Sequence, residues 1–292
     1  MAESYPIIDS WCNLFTPASM KKNFIDNPEM AHIVKWWRMD DRTRGKRLAA
    51  AGAAIEDIDA IVITHEHSDH VHGAESISKK YGTPLWMTRG TLEGTRIDRS
   101  VANVVIFENN SEFRIGEISV RARRTIHDAS DSACFVLESR DGCRAGIASD
   151  LGYVDPPVLE HLSECDLLLF ESNHDLDMLR TGGYPWSLKR RIMSNRGHLS
   201  NDDAIAALRR MIGERTRSLC LIHLSEKNNH PSIVKGMAKA LLDSIGAPID
   251  LHIAQQRSVS ASIEVGRGEQ TVPPDLRAPE PAPRFAQIPL FS

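Results

Sequence analysis

The chain has 292 residues, 41% of them apolar and 25% charged, which is enough for one large domain or two small ones. Its 35 basic and 39 acidic residues give a formal charge of −4, which excludes a globally cationic nucleic-acid coat but not a local basic face. Cys12, Cys134, Cys143, Cys165 and Cys220 form no Cys-x-x-Cys pair, no apolar run is long enough to span a bilayer, and MAESYPIID lacks a basic start followed by an apolar stretch. Together these features predict a soluble, cytoplasmic protein.

Residues 1–45 stand apart, with Trp11, Trp36, Trp37 and the opening IIDSWCNLF. From about residue 46, short apolar runs alternate with helical patterns. Ala60 to Thr64 reads as a buried strand because β-branched residues dominate it. Ala74 to Tyr81 has helical spacing. Leu85 to Met87, Val101 to Phe107 and Ile118 to Arg124 read as further strands, and Ala133 to Glu138 and Arg144 to Ala148 flank the hairpin signal Asp141-Gly142. Leu167 to Phe170 and Leu219 to Ile222 are two more buried strands, with Ile249 to Ile253 at an edge. Asp202 to Met211 is helical, capped by Ser200 or Asn201, and Pro231-Ser232 opens a helix reaching Leu242. Strands and helices mixed on this scale predict layered α/β, two sheets with helices outside. Six prolines after Gly266 cannot sustain a packed element, so the end of the chain reads as a disordered tail. The expected organisation is an atypical segment over 1–45, a hydrolase domain over 46–262 and a Pro-rich tail over 263–292.

The chemistry sits in Thr64-His65-Glu66-His67-Ser68-Asp69-His70, directly after a predicted strand. Burying that many imidazoles and a carboxylate without partners is costly, and a metal supplies the partner. In an extended turn His65 and His67 project the same way and share one ion, while Asp69 and His70 face a second. Two divalent ions about 3.5–4 Å apart hold a bridging hydroxide and clamp a substrate oxygen. Nitrogen and oxygen donors without thiolate suit Zn²⁺, with Mn²⁺ or Fe as alternatives. Further ligands stand at the ends of later strands: His127, Asp150 as a bridging carboxylate, and His223.

These motifs resemble the metallo-β-lactamase fold, whose HxHxDH signature THEHSDH matches. Thr125-Ile-His127-Asp128, Glu171-Ser-Asn-His174-Asp175, Gly197-His198-Leu-Ser-Asn201 and His223-Leu-Ser225 are similar to its YycJ/WalJ-type branch of nuclease-like phosphodiesterases. That branch is related more distantly to tRNase Z and the PhnP phosphodiesterase. The resemblance covers about residues 46–260. It implies a four-layer αββα sandwich, with His65, His67 and His127 on one ion, Asp69, His70 and His223 on the other, and Asp150 bridging. It also implies that His198 lies beside the scissile phosphate, where an imidazole can protonate a leaving alkoxide near neutral pH. Asp69 then orients the attacking hydroxide while ligating metal. Glu171 and His174 are candidates for holding ligand imidazoles. Members of the family open with two strands around a Ser/Gly-rich turn, which residues 1–45 lack. Either Ile7-Ile8 and neighbours replace part of a strand, with Trp36 and Trp37 covering the exposed face, or the front end comes from a rearranged gene and weakens stability.

Between Ser187 and Arg217, eight basic residues (Lys189, Arg190, Arg191, Arg196, Arg209, Arg210, Arg215, Arg217) face three acidic ones, so eight minus three gives a local +5. That charge suits a phosphate backbone, and no aromatic stripe accompanies it in sequence. Gln287-Ile-Pro-Leu-Phe291 resembles the peptide by which bacterial replication and repair proteins dock on the DNA sliding clamp. The expected function is therefore a dinuclear phosphodiesterase acting on nucleic acid, DNA before RNA, as an exonuclease-like nuclease. The alternatives are a small-molecule phosphodiesterase or other hydrolase of the same fold, and a catalytically impaired clamp-binding adaptor.

Overall fold

The computed structural model describes the backbone of residues 13–15 and residues 54–100, 102–254, 263 and 265. A small sheet is built from β1 (Asn13–Phe15), β2 (Ala60–Val62), β3 (Leu85–Met87) and β4 (Val104–Ile106), in that spatial order. A single helical turn, α1 (Ser68–Val71), and then α2 (Ala74–Tyr81) carry the chain from β2 to its parallel neighbour β3; α3 (Arg89–Gly94) follows β3 on the way to β4. The large sheet begins as an antiparallel meander of β5 (Glu112–Ile115), β6 (Ile118–Arg124), β7 (Ala133–Glu138) and β8 (Arg144–Ala148). It continues in parallel through β9 (Leu167–Glu171), β10 (Ser218–Ile222) and β11 (Asp250–Ile253). The crossovers are α4 (Pro156–Leu162), then α5 (Leu176–Thr181), α6 (Trp186–Ile192) and α7 (Asn201–Met211), then α8 (Pro231–Ile245).

Alternation of side chains along each strand assembles the layers. Val62 of β2 and Leu167 and Leu169 of β9 point between the sheets, where they meet Phe107, Val120, Phe135 and Ile222. Ile61 and Ile63 point the other way, onto Ile77 of α2. Leu168 and Phe170 turn outward against Leu159, Leu208 and Leu241 of α4, α7 and α8. The result is helix, sheet, sheet, helix, the four-layer α/β sandwich that the motifs led us to expect. Each fully buried Leu, Ile or Phe side chain contributes about 1.5–3 kcal/mol, so these three contiguous cores dominate stability.

Capping fixes where helices start. Ser200 Oγ accepts the Asp203 N–H at 3.1 Å and Asp155 caps α4 in the same manner. Sequence patterning missed the short elements. β5 is four residues of alternating exposure, joined to β6 by a tight turn at Gly116, where φ is +57°. Helices α4, α5 and α6 span six or seven residues, too few for a 3.6-residue repeat to stand out. β4 covers Val104–Ile106, shorter than expected, and α8 runs three residues beyond Leu242.

Asn13–Phe15 lies antiparallel along the open edge of β2, with Asn13 opposite Val62 and Phe15 opposite Ala60. An edge strand therefore comes from the atypical front segment, six residues after the expected Ile7; Ile7, Ile8, Trp36 and Trp37 lie outside the described residues. At the other end, Ile263 and Val265 are buried in the core between the sheets, so packed chain extends beyond the expected boundary at residue 262. The prolines that follow, and Gln287 to Phe291, lie outside the described residues. Among the described residues, no helix is long and apolar enough to cross a membrane.

Candidate metal centre

Every cluster of metal-ligating side chains among the described residues falls in one place, where the ends of the strands in both sheets meet. The loop leaving β2 supplies His65 and His67, and α1 supplies Asp69 and His70. The Thr64 hydroxyl lies 3.1 Å from His65 Nδ1 and 2.8 Å from His70 Nδ1, which turns the Nε2 atoms of both rings into the site. His127 follows β6. Its Nδ1–H donates to the Gly197 carbonyl at 2.9 Å, leaving the Nε2 lone pair 3.3 Å from Nδ1 of His67. Ligating atoms of His65, His67 and His127 lie within 4.8 Å of one another, as do those of Asp69, His70 and His223.

Asp150 is the hub. Its Oδ2 lies 3.2 Å from His70 Nε2, and its Oδ1 lies 3.3 Å from His223 Nε2 and 4.0 Å from His127 Nε2. One carboxylate thus reaches members of both histidine groups from a fully enclosed position. Asp150 and His223 both hold left-handed backbone, with φ of +60° and +63°. Such a conformation costs a residue with a Cβ about 1–2 kcal/mol, and it persists here because the hydrogen-bonded strand ends impose it.

The donor set fits divalent ions. His65 Nε2 is buried with no hydrogen-bond partner in the protein, an arrangement that costs about 1–3 kcal/mol unless a ligand occupies the lone pair. Burial drives the His65 imidazole well below its ordinary value, and burial likewise lowers His127 to about 4 against the opposing pull of Asp150, so both rings are neutral donors. Burial raises the Asp150 carboxyl, but His223 and His70 outweigh it and hold it well below the usual carboxylate range. Neutral imidazoles around an ionised carboxylate are what a dication requires.

Behind the hub stands Glu171, the fully buried last residue of β9. Its Oε1 accepts from Nδ1 of both His198 and His223 at 2.8 Å, and its Oε2 accepts the Leu151 N–H at 2.6 Å. Burial pushes the Glu171 carboxyl upward. Burial also opposes a charged His198, but the Glu171 carboxylate and Asp150 outweigh it and push that imidazole up to about 9. His198 Nδ1 sits 3.7 Å from Asp150 Oδ1, and the ring is partly open to solvent.

All the candidate residues read from sequence are therefore brought together: Asp69, His198 and the seven expected ligands His65, His67, Asp69, His70, His127, Asp150 and His223. Glu171 holds two imidazoles, as expected. His174 does not; its ring is buried and neither nitrogen has a hydrogen-bond partner. Thr64 and Asp128 stand in the quoted motifs, but sequence reasoning gives neither a role. Asp128 Oδ1 lies 3.2 Å from His127 Nε2, while its Oδ2 accepts from Arg191 Nε of α6. The signal for it was its place directly after His127. Gly197 is required where the loop after α6 turns back, because a Cβ there would collide with the carbonyl oxygens of Arg191 and Ile192.

Comparison with known proteins bears on this geometry. The beta-lactamase superfamily domain matches residues 13–224. The chain belongs to that superfamily. The match takes in β1, which the resemblance read from sequence did not reach. Exodeoxyribonuclease WalJ of Streptococcus pneumoniae is 34% identical over 229 residues, 74% of this chain and 84% of the relative. Exodeoxyribonuclease YycJ of Bacillus anthracis is 31% identical over 207 residues, 68% of this chain and 77% of the relative. Among solved structures, the metallo-β-lactamase fold protein YhfI of Bacillus subtilis superposes with a TM-score of 0.55 at 17% identity, over 71% of this chain and 79% of that one, and shares the fold. This superfamily member is a metal-dependent hydrolase with divalent metal as its cofactor.

Proposed function

We propose that the chain is a dinuclear phosphodiesterase that cleaves DNA as an exonuclease, and that its ions are zinc. His65, His67 and His127 would hold one ion and Asp69, His70 and His223 the other, with Asp150 between them. The observation that carries the reading is the His198–Glu171 pair beside Asp150, an acid–base couple at the edge of a ligand cluster. Divalent ions supply a nucleophilic water at neutral pH and a positive seat for phosphoryl oxygens.

The protein's own groups do the rest. Asp69, half-buried at the mouth, orients the attacking water. His198 keeps its Nδ1–H on Glu171 and gives the proton on Nε2 to the departing oxygen, which otherwise leaves as a poor alkoxide. Arg191 and Arg196 stand at the same rim, Arg196 donating to the His127 carbonyl at 3.3 Å, where they neutralise flanking phosphates. Relatives named as exodeoxyribonucleases, matched along most of their length, favour DNA over RNA and over small phosphodiesters. A DNA substrate also suits the cytoplasm and repair, and the Gln287–Phe291 peptide is the proposed contact with a sliding clamp.

End-labelled single- and double-stranded DNA, incubated with the metal-loaded protein, tests the reading. Stepwise shortening that is abolished by His65→Ala and by His198→Ala is expected. Hydrolysis of bis-p-nitrophenyl phosphate with no shortening of either DNA would overturn the nuclease assignment in favour of a small substrate.

A further inference from the structure

Two large apolar side chains are exposed among the described residues, Trp186 at 59% and Tyr153 at 50%. Isolated apolar residues on a surface ordinarily need no explanation. Both of these, however, stand on segments joined to the metal centre. Tyr153 follows Asp150 by three residues, and its backbone pairs with Ile126, the neighbour of His127. Gly152, just before it, packs so closely on Asn195 and Arg196 that a Cβ would strike their backbone. Tyr153 therefore adjoins the loop that leaves α6.

Trp186 opens α6, whose exposed positions are Trp186, Ser187, Arg190 and Arg191, and Ser194, Asn195 and Arg196 are exposed in the loop that leaves it. The spacing of the four helical positions, i, i+1, i+4 and i+5, places them on a single stripe. Lys189 turns away from it and donates to the Arg180 carbonyl at 2.7 Å. The stripe is anchored at the metal centre, because Arg191 pairs with Asp128 and the Asp128 N–H donates to the Arg196 carbonyl at 2.9 Å. Trp186 lies five residues, about 7.5 Å along the axis, beyond Arg191.

We propose that Tyr153 and Trp186, with Arg190, Arg191 and Arg196 between them, form a track that holds a single-stranded DNA end by base stacking on either side of the phosphate being cleaved. The proposal rests on the nuclease reading and deepens it. Guanidinium groups hold phosphates of any sequence, and aromatic faces accept any base, but only when the base is not paired inside a duplex. The cationic stripe selects a polyanion rather than an apolar protein segment as the occupant of Trp186. The track makes the enzyme selective for strand ends that are already unpaired or that fray.

The test is fluorescence anisotropy with the metal-loaded full chain and a labelled phosphorothioate 12-mer, single-stranded or as a blunt duplex. Trp186→Ala is expected to weaken single-strand binding about tenfold and Tyr153→Ala about fivefold, within the range reported for loss of base stacking. Trp186→Phe should retain most of the affinity, and the duplex should change less than twofold. Single-strand affinity within twofold of wild type in both alanine variants, equal losses for strand and duplex, or Trp186→Phe as weak as Trp186→Ala would each overturn the track. If the strand binds in a Trp186-dependent way but unmodified DNA is never shortened, the track stands and the nuclease reading falls. Shortening of DNA without dependence on either aromatic leaves that reading and removes the track.

Discussion

The interior of the metal centre and its rim are built on opposite rules. Inside, His65, His70, Asp150 and Glu171 are all almost wholly removed from solvent, and hydrogen bonds on the far side of the rings fix their orientation: Thr64 holds two rings and Glu171 two more, while His65 Nε2 is left for a ligand. At the rim, Arg191, Tyr153 and Trp186 are at least half exposed and owe their position to one ion pair, one backbone bridge and the phase of one helix. Buried donors are fixed in advance for chemistry that tolerates little movement, whereas the rim is left free to meet a substrate of variable sequence.

The sharpest way to break this contrast is at the hub. Asp150→Ala leaves four imidazoles without their shared carboxylate, and we expect metal content to fall with at least about a thousandfold loss of phosphodiester hydrolysis. Retained activity with retained metal would mean that Asp150 is only a structural anion. Glu171→Gln keeps the shape but removes the charge that holds His198 and His223. Activity and metal affinity should both fall about 10- to 100-fold, as for other partners that orient a ligand. A loss of activity with unchanged metal affinity would confine Glu171 to His198.

Stripping the ions should cost the fold as well as the reaction. At a free metal concentration a hundredfold above Kd, binding is worth about 2.7 kcal/mol, so chelation should lower Tm by several degrees in calorimetry. An unchanged Tm would contradict a His65 Nε2 that is buried and unpartnered without metal.

His161, on the outer helix α4, is the control for a half-buried histidine away from the metal centre. Its Nε2–H donates to the Arg121 carbonyl at 3.1 Å, and burial lowers its pKa from 6.5 to about 4. Because the folded protein disfavours the charged ring, this contribution is intact above pH 6.5 and is lost as the pH falls from 6.5 towards 4. Relative to His161→Gln, the wild type should lose about 2 kcal/mol across that window, after discounting for partial exposure, as measured by urea denaturation. Parallel pH profiles would show that the ring titrates normally. The smallest effect belongs to the rim: Arg191→Ala should raise KM for DNA a few-fold, measured as the salt dependence of cleavage flattens.

How much of this was legible in sequence follows the same division. THEHSDH was readable because adjacent ligands share one loop, and His127, Asp150 and His223 because each follows a predicted strand, in the order the resemblance implies. The long strands and α2, α7 and α8 were readable for the reason that sheets and helices bury alternate or periodic faces. Asp128 stood in a quoted motif without a role, and Tyr153 and Trp186 carry no such pattern. They are ordinary surface residue types, and only the backbone pairing of Tyr153 with Ile126 and the turn of α6 bring them to one opening. The strand at Asn13–Phe15 escaped because three residues opposite Ala60–Val62 hold no period that a single sequence reveals.

Anomalous diffraction from crystals grown with zinc tests the central claim most directly. The arrangement described here predicts two peaks, one against His65, His67 and His127 and one against Asp69, His70 and His223, with the Asp150 carboxylate between them. A single peak, no peak, or a peak seated instead on Glu171, His198 and His223 would contradict it.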